Sequence, residues 1–333
     1  MNKSISNKVL ITGHRGLVGS ACVKFFSEKG WEVIGVDNNN RAKTLGTPQK
    51  EGEEFDIRES YRIEELFKEH KFDAIIHAAA QPSHDYSHDH VLEDFFINAY
   101  ATILLLEATR KYCPEAIFVF VSTDKVYGEN MSRDLEGDLF EQDTRYQSRF
   151  PFDEKTGLDF VGHRSPFGCS KAAADMYVQE YRNTFGLKTV CFRCGCITGQ
   201  NHEGTELHGF LAYLAKCIRT GVLYKIFGFN GKQVRDQIHA EDLASAFWHY
   251  IQNPKGDVYN MGGGPERSVS ILEAIELIEK ETGKEAFVQY HEPRPGDRIW
   301  DVHDVSKFHK DYPEWDYKYS LENIITDICQ KTI

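Results

Sequence analysis

The first thirty residues combine a short apolar segment, a turn with three glycines and a helical pattern, in that order. Residues 8–12 suit a buried strand, and they lead into Gly13, Gly16 and Gly19. The first glycine allows a tight turn, the second lets the backbone approach a pyrophosphate, and the third lets helix and strand pack closely. This order predicts an α/β fold that holds a dinucleotide phosphate at the start of the helix.

The second predicted strand, residues 32–36, ends at Asp37, eighteen residues after Gly19. A carboxylate at this position accepts hydrogen bonds from the adenosine ribose hydroxyls and repels a 2′-phosphate. Asp37 therefore favours NAD over NADP as the cofactor. Arg41 follows closely, and a nearby arginine can accommodate a phosphate, so the preference for NAD rests on Asp37.

Helical patterns and apolar segments alternate through the first half of the chain. We expect helices over residues 59–70, 91–112 and 171–185, the last starting near Ser170, and strands at residues 74–80, 116–122 and 187–193. Strands that are apolar on both faces belong to parallel sheets covered by helices. The predicted fold class is α/β: a Rossmann-type doubly wound parallel sheet with a smaller C-terminal substrate-binding domain.

We predict a domain boundary after residue 193. Residues 1–193, with a returning segment near 236–260, form the cofactor-binding domain, and residues 194–235 and 261–333 form a second domain that binds the substrate. Residues 128–164 are polar, acidic and too long for an ordinary connection. We expect this stretch to form a wall or lid of the active site.

Composition narrows the class of partner. The net charge of −12 disfavours nucleic acid, which needs clustered Lys and Arg, so bound phosphate is expected on a small molecule. The eight cysteines are scattered, which predicts free thiols and no metal site. The chain starts without the apolar stretch of a signal peptide and has no run of membrane-spanning length, which predicts a cytoplasmic protein.

Two later motifs carry the chemistry: Ser122-Thr123-Asp124 and Phe167-x-x-x-Lys171. They resemble the Ser/Thr and Tyr-x-x-x-Lys constellation of the extended short-chain dehydrogenase/reductases, a family that includes NAD-dependent nucleotide-sugar epimerases and dehydratases. In that family a phenolate removes the proton of a sugar hydroxyl while hydride passes to NAD, and the lysine lowers the phenol pKa and binds the nicotinamide ribose. The resemblance implies these candidate catalytic residues: Thr123, Asp124, Lys125, Phe167 and Lys171.

Phe167 stands where the family has its tyrosine, and a phenyl ring can neither take nor give a proton. Three explanations stay open: another group is the base, the phenol was removed by engineering, or the protein binds without turnover. If the replacement is natural, we expect Asp124, Cys194 or His163 to accept the proton. Asp124 is the first choice because it follows Thr123 at the end of the sheet, where open α/β folds place their chemistry.

The resemblance also implies the cofactor contacts. In the family, residues matching Asp56 and Ile57 contact adenine, a run of small residues matching 78–80 lies beneath the cofactor, and a residue matching Asn98 supports the strand that carries the active site. A plain surface asparagine would look the same as Asn98. The candidate cofactor-binding residues are Gly13, Arg15, Gly16, Leu17, Gly19, Asp37, Asn38, Asn40, Arg41, Asp56, Ile57, Ala78, Ala79, Ala80, Asn98, Ser122, Lys171 and Cys194.

Longer blocks at residues 81–85, 122–128, 204–210 and 231–239 resemble a narrower group, the CDP-paratose (CDP-tyvelose) 2-epimerases. Members oxidise the sugar at C2 with tightly bound NAD and return the hydride to the other face. The resemblance implies that arginines hold the substrate diphosphate. The candidate substrate-binding residues are Gln81, His84, Lys125, His163, Lys232, Arg235 and Arg298, with Asp301 and His239 as weaker candidates.

The pair Asp124-Lys125 keeps a 4,6-dehydratase, or a dehydrogenase, as the alternative, because epimerases of this group usually carry Asn-Lys. After oxidation at C4, a dehydratase needs an acid for the departing 6-hydroxyl and a base for the C5 proton. Asp124 suits the acid, but a lysine is a poor base unless it is desolvated. A non-catalytic protein that binds NAD and a nucleotide sugar is the second alternative.

The resemblance implies self-association as well. In the family, helices matching residues 91–112 and 170–185 pack across a two-fold axis. We therefore expect a homodimer or homotetramer.

Overall fold

The computed structural model describes residues 7–40, 52–128, 138–148, 151–158, 162–199, 202, 204–206, 209–294 and 297–330. The strands are β1 (Lys8–Thr12), β2 (Glu32–Asp37), β3 (Glu53–Glu54), β4 (Ala74–His77), β5 (Ile117–Thr123), β6 (Phe140–Glu141), β7 (Tyr146–Gln147), β8 (Lys188–Cys194), β9 (Cys196–Thr198), β10 (Tyr224–Phe227), β11 (Val234–His239), β12 (Val258–Met261), β13 (Ser268–Ser270), β14 (Val288–His291) and β15 (Trp300–Asp301).

The helices are α1 (Leu17–Glu28), α2 (Ser60–Glu69), α3 (His84–Asp89), α4 (Val91–Phe95), α5 (Ala101–Tyr112), α6 (Ser165–Phe185), α7 (Phe210–Thr220), α8 (Ala240–Gln252), α9 (Ile271–Thr282), α10 (Ser306–Asp311) and α11 (Leu321–Gln330). A π-helical turn, Phe96–Tyr100, joins α4 to α5. Short 3₁₀ turns are formed by Asp124–Tyr127, Phe229–Gly231 and Pro265–Arg267.

Seven parallel strands form a large sheet in the order β12-β8-β5-β4-β1-β2-β3. The chain fills one half of this sheet first, from β1 outward to β3, and then crosses to β4 and fills the other half. The crevice between β1 and β4 is therefore a topological switch point, where open α/β sheets bind their ligands.

The strand register sets the shape of the carboxyl edge of this sheet. Thr12, His77 and Phe120 lie side by side on β1, β4 and β5. β5 then continues for three more residues, to Thr123. Asp124 consequently lies about 10 Å further along the strand direction than the start of the glycine turn.

Helices cover both faces of the large sheet. α1 and α8 contribute Phe26 and Phe247 to one core cluster. α2, α5 and α6 contribute Phe67, Leu105 and Val178 to the other. Burial on both faces explains why the central strands are apolar at nearly every position.

A second unit is built from smaller sheets and from α7, α9 and α11, which share their own apolar core. β10 pairs with β14, and β11 pairs with β9, β13 and β15. Because β9 begins two residues after β8 ends, β11 and its neighbours lie next to the carboxyl edge of the large sheet.

The predicted fold class is confirmed, but some boundaries were wrong. α6 begins at Ser165 rather than near Ser170, because Pro166 occupies the first turn, where its fixed φ and missing N–H are tolerated. The helix expected over 91–112 contains the π turn. The segment that returns to the large sheet is residues 240–261, whereas β11 belongs to the second unit. The full domain assignment stays a prediction.

Residues 128–164, expected to form a wall or lid, are described only in part. β6 and β7 form an antiparallel pair, and Phe152 bridges to His303. All eight cysteines are free thiols. Within the described ranges, no helix has the length and apolar character needed to cross a membrane.

Candidate active site

The glycine turn leaves no room for side chains. Gly13 has a φ of 69°, and a Cβ there would lie 2.7 Å from the Cα of Ala79. A Cβ at Gly19 would lie 2.0 Å from the carbonyl oxygen of Gly13. α1 starts at Leu17 after Gly16, without a side-chain cap, so the backbone amides of its first turn are available to a phosphate.

Asp37 lies at the end of β2 and closes this turn. Its carboxylate accepts hydrogen bonds from the backbone amide of Arg15 at 3.1 Å and from that of Asn39 at 2.8 Å. Each oxygen keeps acceptor capacity, so both can still bind ribose hydroxyls. Arg41 lies outside the described residues.

The predicted adenine contacts lie beside the end of β2. Asp56 accepts a hydrogen bond from Asn38 Nδ2 at 2.9 Å, and Ile57 is buried. Burial raises the pKa of Asp56, but its bonds to Arg58 and Asn38 outweigh burial and lower the pKa to about 2. The backbone amide of Asn40 donates to Asn38 Oδ1 at 3.1 Å.

The run of alanines at residues 78–80 follows β4 and borders the crevice. The backbone amide of Ala79 donates to Thr12 Oγ1 at 3.3 Å, and the backbone of Ala79 approaches Gly13 closely. That these residues lie beneath the cofactor stays a prediction.

Asn98 is buried in the π turn and holds both backbone groups of Gln81 at 3.0 Å. Its Nδ2 also donates to Asp94 at 3.0 Å and to Ser170 of α6 at 3.2 Å. Asn98 therefore links the end of β4 to the helix that carries the catalytic motif. The side-chain amide of Gln81, predicted to bind substrate, donates instead to Asp94 and to the carbonyl of Ser83.

Phe167 and Lys171 lie one helical turn apart on one face of α6. Lys171 Nζ donates to the carbonyl of Val121 at 2.7 Å and lies 4.1 Å from the centre of the Phe120 ring. Burial lowers the pKa of Lys171 to about 8. Phe167 is only 8% exposed, and its ring centre lies 6.5 Å from that of His84.

Ser122, predicted to contact the cofactor, donates its hydroxyl hydrogen to Asp175 Oδ2 at 2.7 Å. Arg193 binds the same carboxylate through two bonds, of 2.8 and 3.1 Å. These three buried residues tie α6 to β5 and β8 and so fix the position of the catalytic motif.

Asp124 belongs to a buried cluster of opposite charges. Arg298 Nη1 lies 3.3 Å from Asp124 Oδ2 and 3.2 Å from Asp301 Oδ2. Lys125 Nζ lies 3.9 and 3.5 Å from the same two oxygens. The hydroxyl of Thr123 donates to Asp124 Oδ1 at 3.1 Å. The cluster thus joins predicted catalytic and substrate-binding residues from distant parts of the chain.

The two carboxyl groups of this cluster differ in proton affinity. Burial and the neighbouring charge of Asp301 raise the pKa of Asp124. Burial acts the same way on Asp301, but Arg298, Lys125 and Arg235 outweigh it and hold the pKa of Asp301 well below its usual range. Asp301 is therefore the anion of the pair, and Asp124 is the group that can take up and release a proton.

Asp124, Asp301 and His303 bring metal-ligand atoms within 4.8 Å of one another, the only such group in the part of the chain that is described. Arg298 and Lys125 already place positive charge on the two carboxylates. We therefore assign no metal to this cluster, and the absence of a metal stays a prediction.

Of the other two residues predicted to contact the diphosphate, one belongs to the Asp124 cluster and one does not. Arg235 Nη2 binds Asp297 Oδ1 at 2.6 Å, and its Nε lies 4.0 Å from Asp301, so Arg235 belongs to the cluster. Lys232 does not, because its ammonium pairs with Glu141 at 2.8 Å.

The substrate-binding candidate His84 and the two other proposed proton acceptors, His163 and Cys194, differ in how well they could accept a proton. Burial and the charge of Lys125 lower the pKa of the half-buried His84 to about 4. His163 is exposed. Burial raises the pKa of the Cys194 thiol, which therefore stays protonated. Among the three proton acceptors proposed from sequence, which are Asp124, Cys194 and His163, Asp124 is the best placed.

The sequence analysis missed two residues beside this cluster. His303 Nδ1 lies 2.9 Å from Asp236 Oδ1, and both side chains are fully buried. Asp236 falls inside the 231–239 block, whereas no motif pointed to His303.

The fold and the site together define a class: a doubly wound α/β enzyme with a dinucleotide site at its switch point and an acid–base cluster above it. Residues 9–262 match the NAD dependent epimerase/dehydratase family. The chain is 36% identical over 293 residues to a CDP-paratose 2-epimerase of Salmonella typhi. The aligned residues cover 82% of this chain and 83% of that protein. It is 31% identical over 336 residues to a dTDP-glucose 4,6-dehydratase of Escherichia coli, and this alignment covers 91% of this chain and 88% of that protein.

A solved structure agrees. The UDP-glucose 4-epimerase of Thermus thermophilus in complex with NAD superimposes with a TM-score of 0.81, at 26% identity and over 97% of each chain. The protein belongs to the NAD dependent epimerase/dehydratase family. This membership confirms the family resemblance, the enzyme class and NAD as the cofactor.

The residues present fit NAD. At Gly13 and Gly19 the backbone of Ala79 and Gly13 takes the space that a Cβ would need, which keeps the turn tight, and Asp37 keeps free acceptor capacity. The glycine turn would hold the pyrophosphate, Asp37 the adenosine ribose and Lys171 the nicotinamide ribose. These individual contacts stay predictions.

Proposed function

We propose that the protein is a CDP-sugar 2-epimerase that interconverts CDP-paratose, or a close relative, and its C2 epimer. One observation carries the proposal: Asp124, a buried carboxyl group with a raised pKa, lies in the site where the family's phenol is replaced by Phe167. Gly168, next to Phe167, packs against the carbonyl of Lys125, so the two motifs share one site.

In this proposal Asp124 accepts the proton of the sugar hydroxyl and returns it when the ketone is reduced. NAD supplies the acceptor and donor of the hydride. Arg298 and Lys125 orient the Asp124 carboxyl, and Lys171 keeps a positive charge beneath the cofactor site.

The grouping of cations supports a diphosphate ligand. Arg298, Lys125 and Arg235 lie together around Asp301. Arginine binds phosphate with directed hydrogen bonds, so two arginines at one place suit a diphosphate.

The cluster favours an epimerase over a 4,6-dehydratase. A dehydratase needs a second base, and the two groups beside Asp124 are poor candidates. Lys125 is paired with Asp124 and Asp301 as an ammonium, and Asp301 is held ionised by three cations, which weakens it as a base. The similarity to a CDP-paratose 2-epimerase supports the same choice.

The test is NMR of CDP-paratose incubated with the NAD-loaded protein in D2O. Appearance of the C2 epimer with the C2 proton retained supports internal return of the hydride. A parallel incubation with CDP-glucose, which carries the 6-hydroxyl that CDP-paratose lacks, tests the alternative: loss of that hydroxyl with deuterium at C5 identifies a dehydratase instead. Binding without any conversion, across a panel of nucleotide sugars, identifies a non-catalytic binder.

We also infer that the protein self-associates. α4, the π turn and α6 pack together and expose several apolar side chains: Leu92 at 72%, Phe95 at 46%, Phe96 at 44% and Tyr177 at 48%. Large apolar side chains exposed on helices that pack together favour an interaction site. The family's two-fold packing of these helices makes a second copy of the chain the expected partner.

A further inference from the structure

A second buried acid–base pair lies behind the Asp124 cluster. His303 is 0% exposed, and its Nδ1 lies 2.9 Å from Asp236 Oδ1. The other oxygen of Asp236 accepts hydrogen bonds from the backbone amides of His303 at 3.0 Å and of Gly264 at 2.9 Å. A carboxylate only accepts hydrogen bonds, so Nδ1 carries the hydrogen and the neutral ring has its lone pair at Nε2.

The Nε2 atom of His303 is buried and has no hydrogen-bond partner among the described residues. Leaving a buried polar atom unpaired is costly, so such an atom calls for an explanation. A ring nitrogen of His303 lies within 4.8 Å of carboxylate oxygens of both Asp124 and Asp301. Because Asp236 occupies Nδ1, Nε2 is the ring nitrogen left to bond to a water that the two carboxyl groups share.

The imidazole is fixed in this orientation by its neighbours. The ring of Phe152 lies against it with centres 4.3 Å apart. A Cβ at Gly195 would lie 2.4 Å from His303 Cε1, and one at Gly262 would lie 2.6 Å from Nδ1. Two glycines thus make room for the ring.

We propose that His303 stores the proton that Asp124 removes from the sugar hydroxyl, with Asp236 holding the Nδ1 hydrogen throughout. The inference rests on the proposed function. The hydroxyl O–H bond breaks, its proton bonds to a carboxylate oxygen of Asp124 and then to Nε2 of His303, and Asp124 becomes a carboxylate again. The electron pair of the carbon–hydrogen bond leaves with the hydride, which is the chemistry that NAD supplies. Return of the hydride reverses every step.

The charges around His303 support this storage. Asp236 on β11, Asp301 on β15 and Asp124 after β5 face the ring, and Arg298 and Lys125 bind the two carboxyl groups beyond it. Burial lowers the pKa of His303, but Asp236 outweighs burial and raises the pKa above its ordinary 6.5. The pKa of Asp124 is raised as well, so both groups hold a proton more tightly than they do in water.

This arrangement predicts that kcat falls at low pH, which appears as a limb in the pH profile of turnover. A ring that is already protonated cannot accept the sugar proton, so kcat should fall as the pH drops through the raised pKa of His303, above 6.5. His303 acts through Asp124, so it is a positioning residue, and the pH profile separates this role from a purely structural one.

The first test is His303→Asn, because an asparagine amide can replace Nδ1 as the donor to Asp236 but offers nothing at Nε2. We expect kcat to fall on the order of 10²-fold with little change in KM, and the limb above pH 6.5 to disappear. The matched control is His249→Asn, which removes a ring paired with Glu314 on the surface at 3.6 Å and should leave both kcat and the profile unchanged. An unchanged profile in His303→Asn would overturn the proposal.

A second measurement needs neither turnover nor a foldable His303 variant. ¹⁵N NMR of the histidine-labelled, NAD-loaded protein gives the tautomer and the pKa of His303. We expect the Nδ1–H tautomer, with a pKa above 6.5 that Asp124→Asn lowers. An Nε2–H tautomer, or a pKa indifferent to Asp124→Asn, contradicts the proton store. Absence of epimerisation with an intact His303 signature contradicts the proposed function alone.

Discussion

The two halves of this active site are built in different ways. The part of the cofactor half predicted to hold the pyrophosphate and the adenosine ribose comes from one contiguous stretch, residues 13–37, in which backbone turns and missing side chains set the geometry. The acid–base half collects Asp124, Arg298 and Asp301 from distant segments and holds them by charge. The first half should therefore be sensitive to added volume and the second to changes of charge at constant volume.

The largest effect is expected from Asp124→Asn, which keeps the size of the side chain and removes its proton-accepting oxygen. Turnover should fall about 10²- to 10⁴-fold, while NAD affinity stays near that of the wild type. Steady-state kinetics and calorimetry measure the two effects. Asp316→Asn, at an exposed position, is the matched control, and wild-type turnover in Asp124→Asn would remove Asp124 from the mechanism.

Gly19→Ala tests the other half with a single methyl group. Its Cβ would lie 2.0 Å from the carbonyl oxygen of Gly13, so the turn must open, and we expect NAD affinity to fall at least ~10-fold with a stability loss of about 1–3 kcal/mol. Gly157→Ala is the control, because no atom of the described residues lies within 4 Å of its Cβ position. NAD titration and urea unfolding report the results. Normal NAD binding by Gly19→Ala would contradict a geometry set by backbone contact.

Lys171 joins the two halves, and its burial predicts a pH effect on stability. Because burial lowers its pKa to about 8, the folded chain binds fewer protons than the unfolded chain between pH 8 and the ordinary lysine pKa of 10.5. The contribution of Lys171 to the free energy of unfolding therefore rises with pH across this window. Relative to Lys171→Met, the wild type should gain stability between those pH values in denaturant titrations.

The control for that comparison is Lys155→Met, since Lys155 is 93% exposed. It should change stability equally at both ends of the window. An identical pH dependence for wild type and Lys171→Met would show that the ammonium is not desolvated.

The smallest effect on chemistry is expected at the apolar surface. Leu92→Glu places a charge on a side chain that is 72% exposed, so it should weaken self-association and leave the fold intact. Light scattering after size-exclusion chromatography measures the mass, with Tyr61→Glu, an exposed residue on α2, as the control. A wild-type protein that is already a monomer would contradict the inferred interface.

The same division explains what the sequence could predict. The glycine turn and Asp37 were predictable because their spacing within one strand–helix–strand unit fixes their geometry. The start of α6 at Ser165 was also predictable, since Pro166 favours the first helical turn. The sequence analysis placed the start near Ser170 instead.

The acid–base half could not be assembled in advance. Asp301 at the end of β15 and His303 just after it lie in a short segment without a motif of its own, and only tertiary packing brings them to Asp124. The bond from the Gln81 side chain to Asp94 is another contact that the sequence block did not predict, and the role of Gln81 in binding substrate stays a prediction.

The central claim is that Asp124 replaces the missing phenol, and a rescue experiment tests it most directly. Reduction of bound NAD by CDP-paratose should be followed in single turnovers for the wild type, Asp124→Asn and the double variant Asp124→Asn/Phe167→Tyr. The account predicts loss of the reduced-nicotinamide signal in Asp124→Asn and its partial return when a phenol is restored above Lys171. Wild-type reduction by Asp124→Asn, with Phe167 still in place, would contradict the claim.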